Sequence, residues 1–81
     1  MQPHEELVEA IAQEIEKHFA QNPGASDSAE GIRAFWLPPA LRALPLELVI
    51  EALERLETEG VVKKIPVGTG FVYEAAPGTV H

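Results

Sequence analysis

Few residues in this sequence have side chains that could do chemistry, and their spacing matches no familiar site. Three histidines are scattered along the chain: His4, His18 and His81. Glu14 and His18 are four residues apart, but such a pair on a helix is more often a surface contact than half of a metal site. Ser26 and Ser28 lie where a helix is expected to begin, so they are better suited to capping that helix than to acting as nucleophiles.

The other candidates for catalysis or ligand binding are equally weak. The sequence contains no cysteine, which excludes disulfides, thiol catalysis and thiolate metal ligands. Gly68-Thr69-Gly70 is too short to cradle a phosphate and opens no helix. The glutamates fall on expected solvent faces, and nothing indicates the converging polar groups of a substrate pocket. We therefore expect no enzymatic activity, no cofactor or metal, and no small-molecule substrate.

Length and composition indicate one small globular domain. The chain has 81 residues, of which 46% are hydrophobic and 23% charged. No apolar run approaches the roughly 20 residues that cross a bilayer. The first ten residues, MQPHEELVEA, carry acids where a signal peptide carries bases. The sequence therefore predicts a cytoplasmic protein without a membrane partner.

The charge of the chain bears directly on the kind of partner it could bind. The formal net charge is −7, and the basic residues are six: Lys17, Arg33, Arg42, Arg55, Lys63 and Lys64. Nucleic-acid affinity comes largely from the neutralisation of phosphates by such residues. An acidic protein can still bind DNA if its bases share one face, so the placement of the bases decides the question.

The first half of the chain predicts two helices. Apolar residues recur at three- and four-residue steps through residues 3–20: Leu7, Val8, Ile11, Ile15 and Phe19. Asp27, with Glu30 three residues later, resembles a capping box and predicts a second helix over residues 28–36. Gly31 weakens this helix by about 1 kcal/mol relative to alanine, and Pro38-Pro39 ends it because proline lacks an N–H.

The second half predicts a third helix followed by a β-hairpin. After a connection at residues 38–44, where one helical turn is expected, the helix begins near Pro45, and Gly60 ends it. Its apolar stripe has five members: Leu46, Val49, Ile50, Leu53 and Leu56. Residues 61–65 and 71–73 are expected to form two strands joined by a short glycine-rich turn. Residues 75–81 are expected to form a flexible tail.

Four short segments together resemble the winged helix-turn-helix family: LERL at 53–56, EGVV at 59–62, GTG at 68–70 and VY at 72–73. The resemblance is good over residues 45–74 and looser over residues 4–37. It implies an α+β fold, with three helices followed by a C-terminal two-stranded β-hairpin wing, in a single domain over residues 1–74. Two features depart from the family. The connection at residues 37–44 is longer and richer in proline than the tight turn of a DNA-reading helix pair, and no strand is evident at residues 24–28.

The third helix has the wrong charge for its usual role. In DNA-binding helix-turn-helix proteins the corresponding helix contacts base edges. Here residues 45–59 contain five acids and one base, Arg55, and a glutamate repels every phosphate it approaches. One interpretation is an acidic docking surface that includes Glu47 and Glu51. The other is a solvated face that binds nothing.

Phe35 and Trp36 begin the most apolar segment of the chain. Adjacent residues on a helix point in different directions, so these two side chains need not both face the core. One of them, together with Leu37, Leu41 or Leu44, could form an exposed docking patch, and Leu48 is a further apolar side chain outside the stripe of the third helix. The alternative is that both aromatic side chains belong to the core.

Two functions remain open. The first is a non-enzymatic adaptor that binds a protein, either a partner with a basic surface or a second copy of the chain, through these acidic and apolar residues. The second is a DNA-binding transcriptional regulator of the winged-helix type, which would need five bases on one face: Arg33, Arg42, Arg55, Lys63 and Lys64. Lys63 and Lys64 could contact phosphates from the wing, or they could protect the edge of the sheet.

Overall fold

The computed structural model describes residues 3–77, which form a small α+β fold of helices followed by an antiparallel sheet. In chain order the elements are α1 (Pro3–Gln21), β1 (Ser26–Asp27), α2 (Ala29–Gly31), a π-helical turn (Ile32–Trp36), α3 (Pro39–Arg42), α4 (Leu46–Thr58), β2 (Val62–Val67) and β3 (Gly70–Ala75). The α+β class is thus confirmed. Over residues 3–77, however, there are four α-helices and three strands, where three helices and two strands were predicted.

The core lies between α1, α4 and the inner face of the sheet. The apolar stripe of α1 buries five side chains: Val8, Ile11, Ala12, Ile15 and Phe19. α4 contributes Val49, Ala52, Leu53 and Leu56, and the core is completed by Ala29, Ile32, Leu37, Val62 and Tyr73. No charged side chain is buried in the part of the chain that the structure describes. Within that part, no helix is long and apolar enough to cross a membrane.

A short first strand corrects the expectation that residues 24–28 contain none. β1 pairs with β3 in antiparallel register, Ser26 with Glu74 and Asp27 with Tyr73, so the sheet order is β1-β3-β2. The strand has two polar residues and therefore shows neither the length nor the apolar alternation by which strands are recognised. Pairing with β3 makes this segment extended, and that partner lies 46 or more residues further along the chain.

The start of the second helical segment also differs in detail from the predicted capping box. Ser28 is the N-cap: its hydroxyl oxygen accepts the N–H of Gly31 at 3.1 Å. Asp27 instead accepts the N–H of Ser28 at 2.8 Å. The Asp27 carboxylate then occupies the space that a β-carbon on residue 31 would need. A glycine at position 31 therefore allows the Asp27 carboxylate to approach the helix backbone closely. This explains why the position holds a residue of low helix propensity.

Two glycines with positive φ determine the path from α4 into the hairpin. Gly60, at φ 80°, follows the end of α4 as predicted. Gly68, at φ 60°, is the first residue of a two-residue loop between Val67 and Gly70, which pair across the hairpin. A glycine with positive φ at this position is typical of the type II′ turn, whose twist matches that of the strands.

The sheet extends beyond residue 74, where the predicted domain ended. β3 continues to Ala75, and the backbone N–H of Ala76 donates to the carbonyl oxygen of Val61 at 3.1 Å. Residues 78–81 of the predicted tail, including His81, lie outside the described residues, as do residues 1–2.

Candidate interaction surfaces

The outer face of α4 is acidic. Its apolar stripe faces the core, which leaves Glu47, Glu54 and Glu57 exposed on the other side of the helix. Glu51 is half-buried, and its carboxylate lies 2.7 Å from Nε2 of His4 at the start of α1. Glu47 and Glu51, both predicted as docking residues, thus occupy different positions: Glu47 faces solvent, and Glu51 contacts α1.

The one base of α4 is turned towards α1. Two guanidinium nitrogens of Arg55 reach Glu5 at 3.0 Å and Glu9 at 3.2 Å. Exposed ion pairs stabilise a fold little, since solvent screens them. Their consequence here is electrostatic: Arg55 is already matched by two carboxylates, so the exposed surface of α4 retains its negative charge.

The negative charge extends from α4 to α2. Burial raises the pKa of the Tyr73 hydroxyl above its usual value, and the charges of Glu57, Glu54 and Glu30 raise it further. The three carboxylates come from two helices, α4 and α2, so they lie within electrostatic range of one phenol on β3. Tyr73 therefore remains protonated and neutral at physiological pH.

The structure separates the two adjacent aromatic residues. Phe35 is 80% exposed, whereas Trp36 is half-buried. The indole ring of Trp36 stacks on His18, with ring centroids 4.0 Å apart, and meets the edge of Phe19 at 4.9 Å. The π-helical turn contains both residues, and its wider i→i+5 geometry is a feature often found at functional sites.

The remaining apolar candidates lie closer to the core than Phe35. Leu41, Leu44 and Leu48 are half-buried and pack against core residues, and Leu37, expected as a possible patch member, is buried in the core. Phe35 is thus the large exposed hydrophobic side chain of the segment around α3.

The five bases proposed for DNA contact are distributed over three parts of the molecule. Arg33 donates to the carbonyl oxygen of Leu44 at 3.4 Å, and Arg42 donates to that of Leu37 at 2.8 Å, so both tie down the connection between the helices. Arg55 faces α1, as described above. On the hairpin, the Lys64 ammonium lies 4.2 Å from the centroid of the Phe71 ring, a cation–π contact. Lys63 is exposed and stands opposite Glu74.

The hairpin carries exposed apolar residues on both of its faces, and the sequence did not reveal them. Val67 is 55% exposed and Phe71 is 48% exposed. Ile65 and Val72 stand opposite each other in the register and are half-buried. Strict alternation of side chains along β2 and β3 could have revealed that Ile65, Val67 and Val72 face away from the core, whereas Phe71 pairs with Pro66 on the opposite face. The two strands were predicted from the sequence, but their two faces were not.

Comparison with known proteins adds no match: no family model, curated protein or solved structure is significantly similar to this chain. Residues 3–77 also contain no group of three or more histidine, cysteine or acidic side chains placed to hold a metal ion. The charge and exposure of these surfaces are therefore the features from which a function can be inferred.

Proposed function

We propose that this chain is a non-enzymatic interaction module of winged-helix type that binds a protein partner. The helices followed by a small antiparallel sheet are compatible with that fold. β1 supplies the strand between the first two helices that the sequence did not reveal. In this interpretation α4 corresponds to the third, recognition helix of the family, and β2 with β3 corresponds to the wing.

The acidic outer face of α4 is the observation that carries the proposal. Glu47, Glu54 and Glu57 are exposed there, and Arg55 is paired with carboxylates of α1. A DNA-binding helix in this position would approach two phosphate backbones, and each exposed glutamate would repel them. The same surface attracts a basic protein, because complementary potentials raise the rate of encounter and suppress wrong partners.

Phe35 supports a protein partner rather than a small ion or a nucleic acid. Protein interfaces are enriched in aromatic side chains, and a few such anchors carry most of the binding free energy. A phenylalanine that is 80% exposed in the free chain has nearly its whole side chain available for burial. The expected partner therefore combines basic side chains with an apolar pocket.

A DNA-binding function is the second candidate, and the arrangement of elements is what favours it. Against it stand the engaged bases: Arg33 and Arg42 hydrogen-bond to backbone carbonyls, and Arg55 forms ion pairs. Lys63 and Lys64 on the hairpin would supply two phosphate contacts, which give only weak, salt-sensitive affinity.

An NMR titration separates the two candidates. Isotope-labelled protein is titrated at low salt with a short mixed-sequence DNA duplex, because low salt favours even weak nucleic-acid binding. We expect the amide signals of α4 and of the hairpin to stay unchanged. Saturable shifts at Arg55, Lys63 and Lys64 would overturn the proposal and support a DNA-binding regulator.

A further inference from the structure

The hairpin has a second face that lies away from the core of the described residues. Six residues alternate onto it, and we call them the outer face: Lys63, Ile65, Val67, Gly70, Val72 and Glu74. Val62, Tyr73 and Ala75 point to the opposite side and belong to the core or pack against it. Ile65 and Val72 are not among the side chains that pack against the core. Both side chains are half-buried and stand opposite each other across the two strands.

The outer face is complementary to itself. The register forms three cross-strand pairs on it: Lys63 with Glu74, Ile65 with Val72, and Val67 with Gly70. Each pair joins unlike members, a base with an acid, a longer aliphatic chain with a shorter one, and an exposed valine with a residue that has no side chain. Nothing lies within 4 Å of the position where a β-carbon on Gly70 would be, so the space above Gly70 is open.

We propose that two copies of this chain associate through their outer faces, around a two-fold axis parallel to the strands. This rotation places β2 of one copy over β3 of the other at the same height. Lys63 then faces Glu74 of the second copy, and Ile65 faces Val72. Val67 faces the open space above Gly70. Such an isologous contact repeats every pair twice, as closed two-fold symmetry requires.

Association through the face is favoured over association through the edge of β2. Pro66 lies on that edge strand and has no N–H to donate to an added strand. The two preceding lysines keep the edge charged. Face-to-face packing needs no free backbone hydrogen-bonding groups, because the side chains of the two sheets interdigitate across about 10 Å.

The area of the outer face predicts a weak dimer. Two strands about 5 Å apart, each with a rise of about 3.4 Å per residue, present a face on the order of 200 Å². Two such faces bury on the order of 400 Å² in total, well below the roughly 1,200–2,000 Å² of stable interfaces, so the contact is weak and transient. We therefore expect dissociation constants on the order of 0.1–1 mM, so that the dimer is populated only at high protein concentration.

Sedimentation equilibrium on charge-swapped variants tests the two-fold arrangement. Lys63→Glu alone puts like charges face to face in the dimer, and Glu74→Lys alone does the same with the opposite sign. Each variant by itself is expected to associate about tenfold more weakly than the wild type. An equimolar mixture of the two variants is expected to recover association, because each charge then meets its opposite on the other chain. Lys17→Glu, the same charge change on an exposed position of α1, is the matched control and is expected to associate like the wild type.

Gly70→Val gives an independent steric test. The added side chain meets open space in the single chain but occupies the position of Val67 from the second copy. We expect this variant to keep its fold, seen in an unchanged NMR spectrum of the rest of the chain at low concentration, and to stay monomeric near 1 mM, roughly the upper limit set above.

Three results would overturn the inference: a wild type that is monomeric near that concentration limit of about 1 mM, a mixture that associates no better than its components, or a Gly70→Val variant that dimerises as well as the wild type. None of these results bears on the proposed binding of a partner by α4, because α4 is not part of the outer face of the hairpin.

Discussion

Replacing Trp36 with alanine should destabilise the fold far more than replacing its neighbour Phe35. A fully buried aromatic residue costs about 3–5 kcal/mol when it is truncated to alanine. Trp36 is half-buried, which scales this to about 2 kcal/mol. Its edge contact with Phe19, at 4.9 Å between ring centroids, adds about 0.5–1.5 kcal/mol. The expected loss for Trp36→Ala is therefore about 2.5–3.5 kcal/mol.

Replacing Phe35 with alanine should change the stability of the fold very little. With 80% of it exposed, this side chain buries roughly 40 Å² out of about 200 Å², which stabilises the fold by about 1 kcal/mol at most. Alanine retains part of this burial and has a helix propensity better by about 0.5 kcal/mol. The expected change for Phe35→Ala is therefore below about 0.5 kcal/mol.

Urea denaturation followed by far-ultraviolet circular dichroism measures both changes without using tryptophan as the probe. With a slope of about 1 kcal/mol per molar urea, the midpoint should fall by about 2.5–3.5 M for Trp36→Ala and by less than about 0.5 M for Phe35→Ala. Trp36→Phe, which keeps an aromatic ring on the same backbone, serves as the conservative control. Equal losses for the two alanine variants would refute the assignment of Phe35 to the surface, and with it the aromatic anchor of the proposed interface.

Three further predictions concern the elements that hold these surfaces in place. Because the pKa of Tyr73 is raised in the fold, its hydroxyl ionises first in the unfolded chain, near pH 10. The stability that this group contributes below that pH should therefore be lost as the pH rises through the folded pKa. An ultraviolet titration of this single tyrosine should give a midpoint above the free value, and one that Glu57→Gln lowers; an unshifted midpoint would contradict the burial of the ring. Gly60→Ala should cost about 1 kcal/mol in urea denaturation, because φ there is 80°, and no loss would contradict that conformation. Ser28→Ala should cost about 1 kcal/mol by removing the acceptor of the Gly31 N–H, whereas Ser28→Thr should retain most of the stability.

The parts of the fold that the sequence predicted are those with a strong local signal. α1 and α4 carry long apolar stripes, and both were predicted within two residues of their observed ends. Gly60 and the glycine-rich turn at residues 66–70 marked the hairpin, since few other residues adopt positive φ. One helical turn was also expected in the connection where α3 lies.

The parts that the sequence did not predict depend on distant partners. β1 is two residues long and is extended because β3 pairs with it. Trp36 and Phe35 have equal apolar character, and only the contacts of Trp36 with α1 decide which of them is exposed. Likewise, Arg55 is the only base on α4, but its sequence position does not reveal that Glu5 and Glu9 of α1 already bind it.

The most direct test of the central claim is affinity capture from the native host with charge-reversed baits. The wild-type chain is compared with Glu47→Lys/Glu54→Lys, which reverses the exposed face of α4, and with Glu6→Lys/Glu14→Lys, the same change in net charge on α1. If α4 is the docking surface, a protein partner should bind the wild type and the α1 variant and be lost from the α4 variant. Capture of the same proteins by all three baits would contradict the claim.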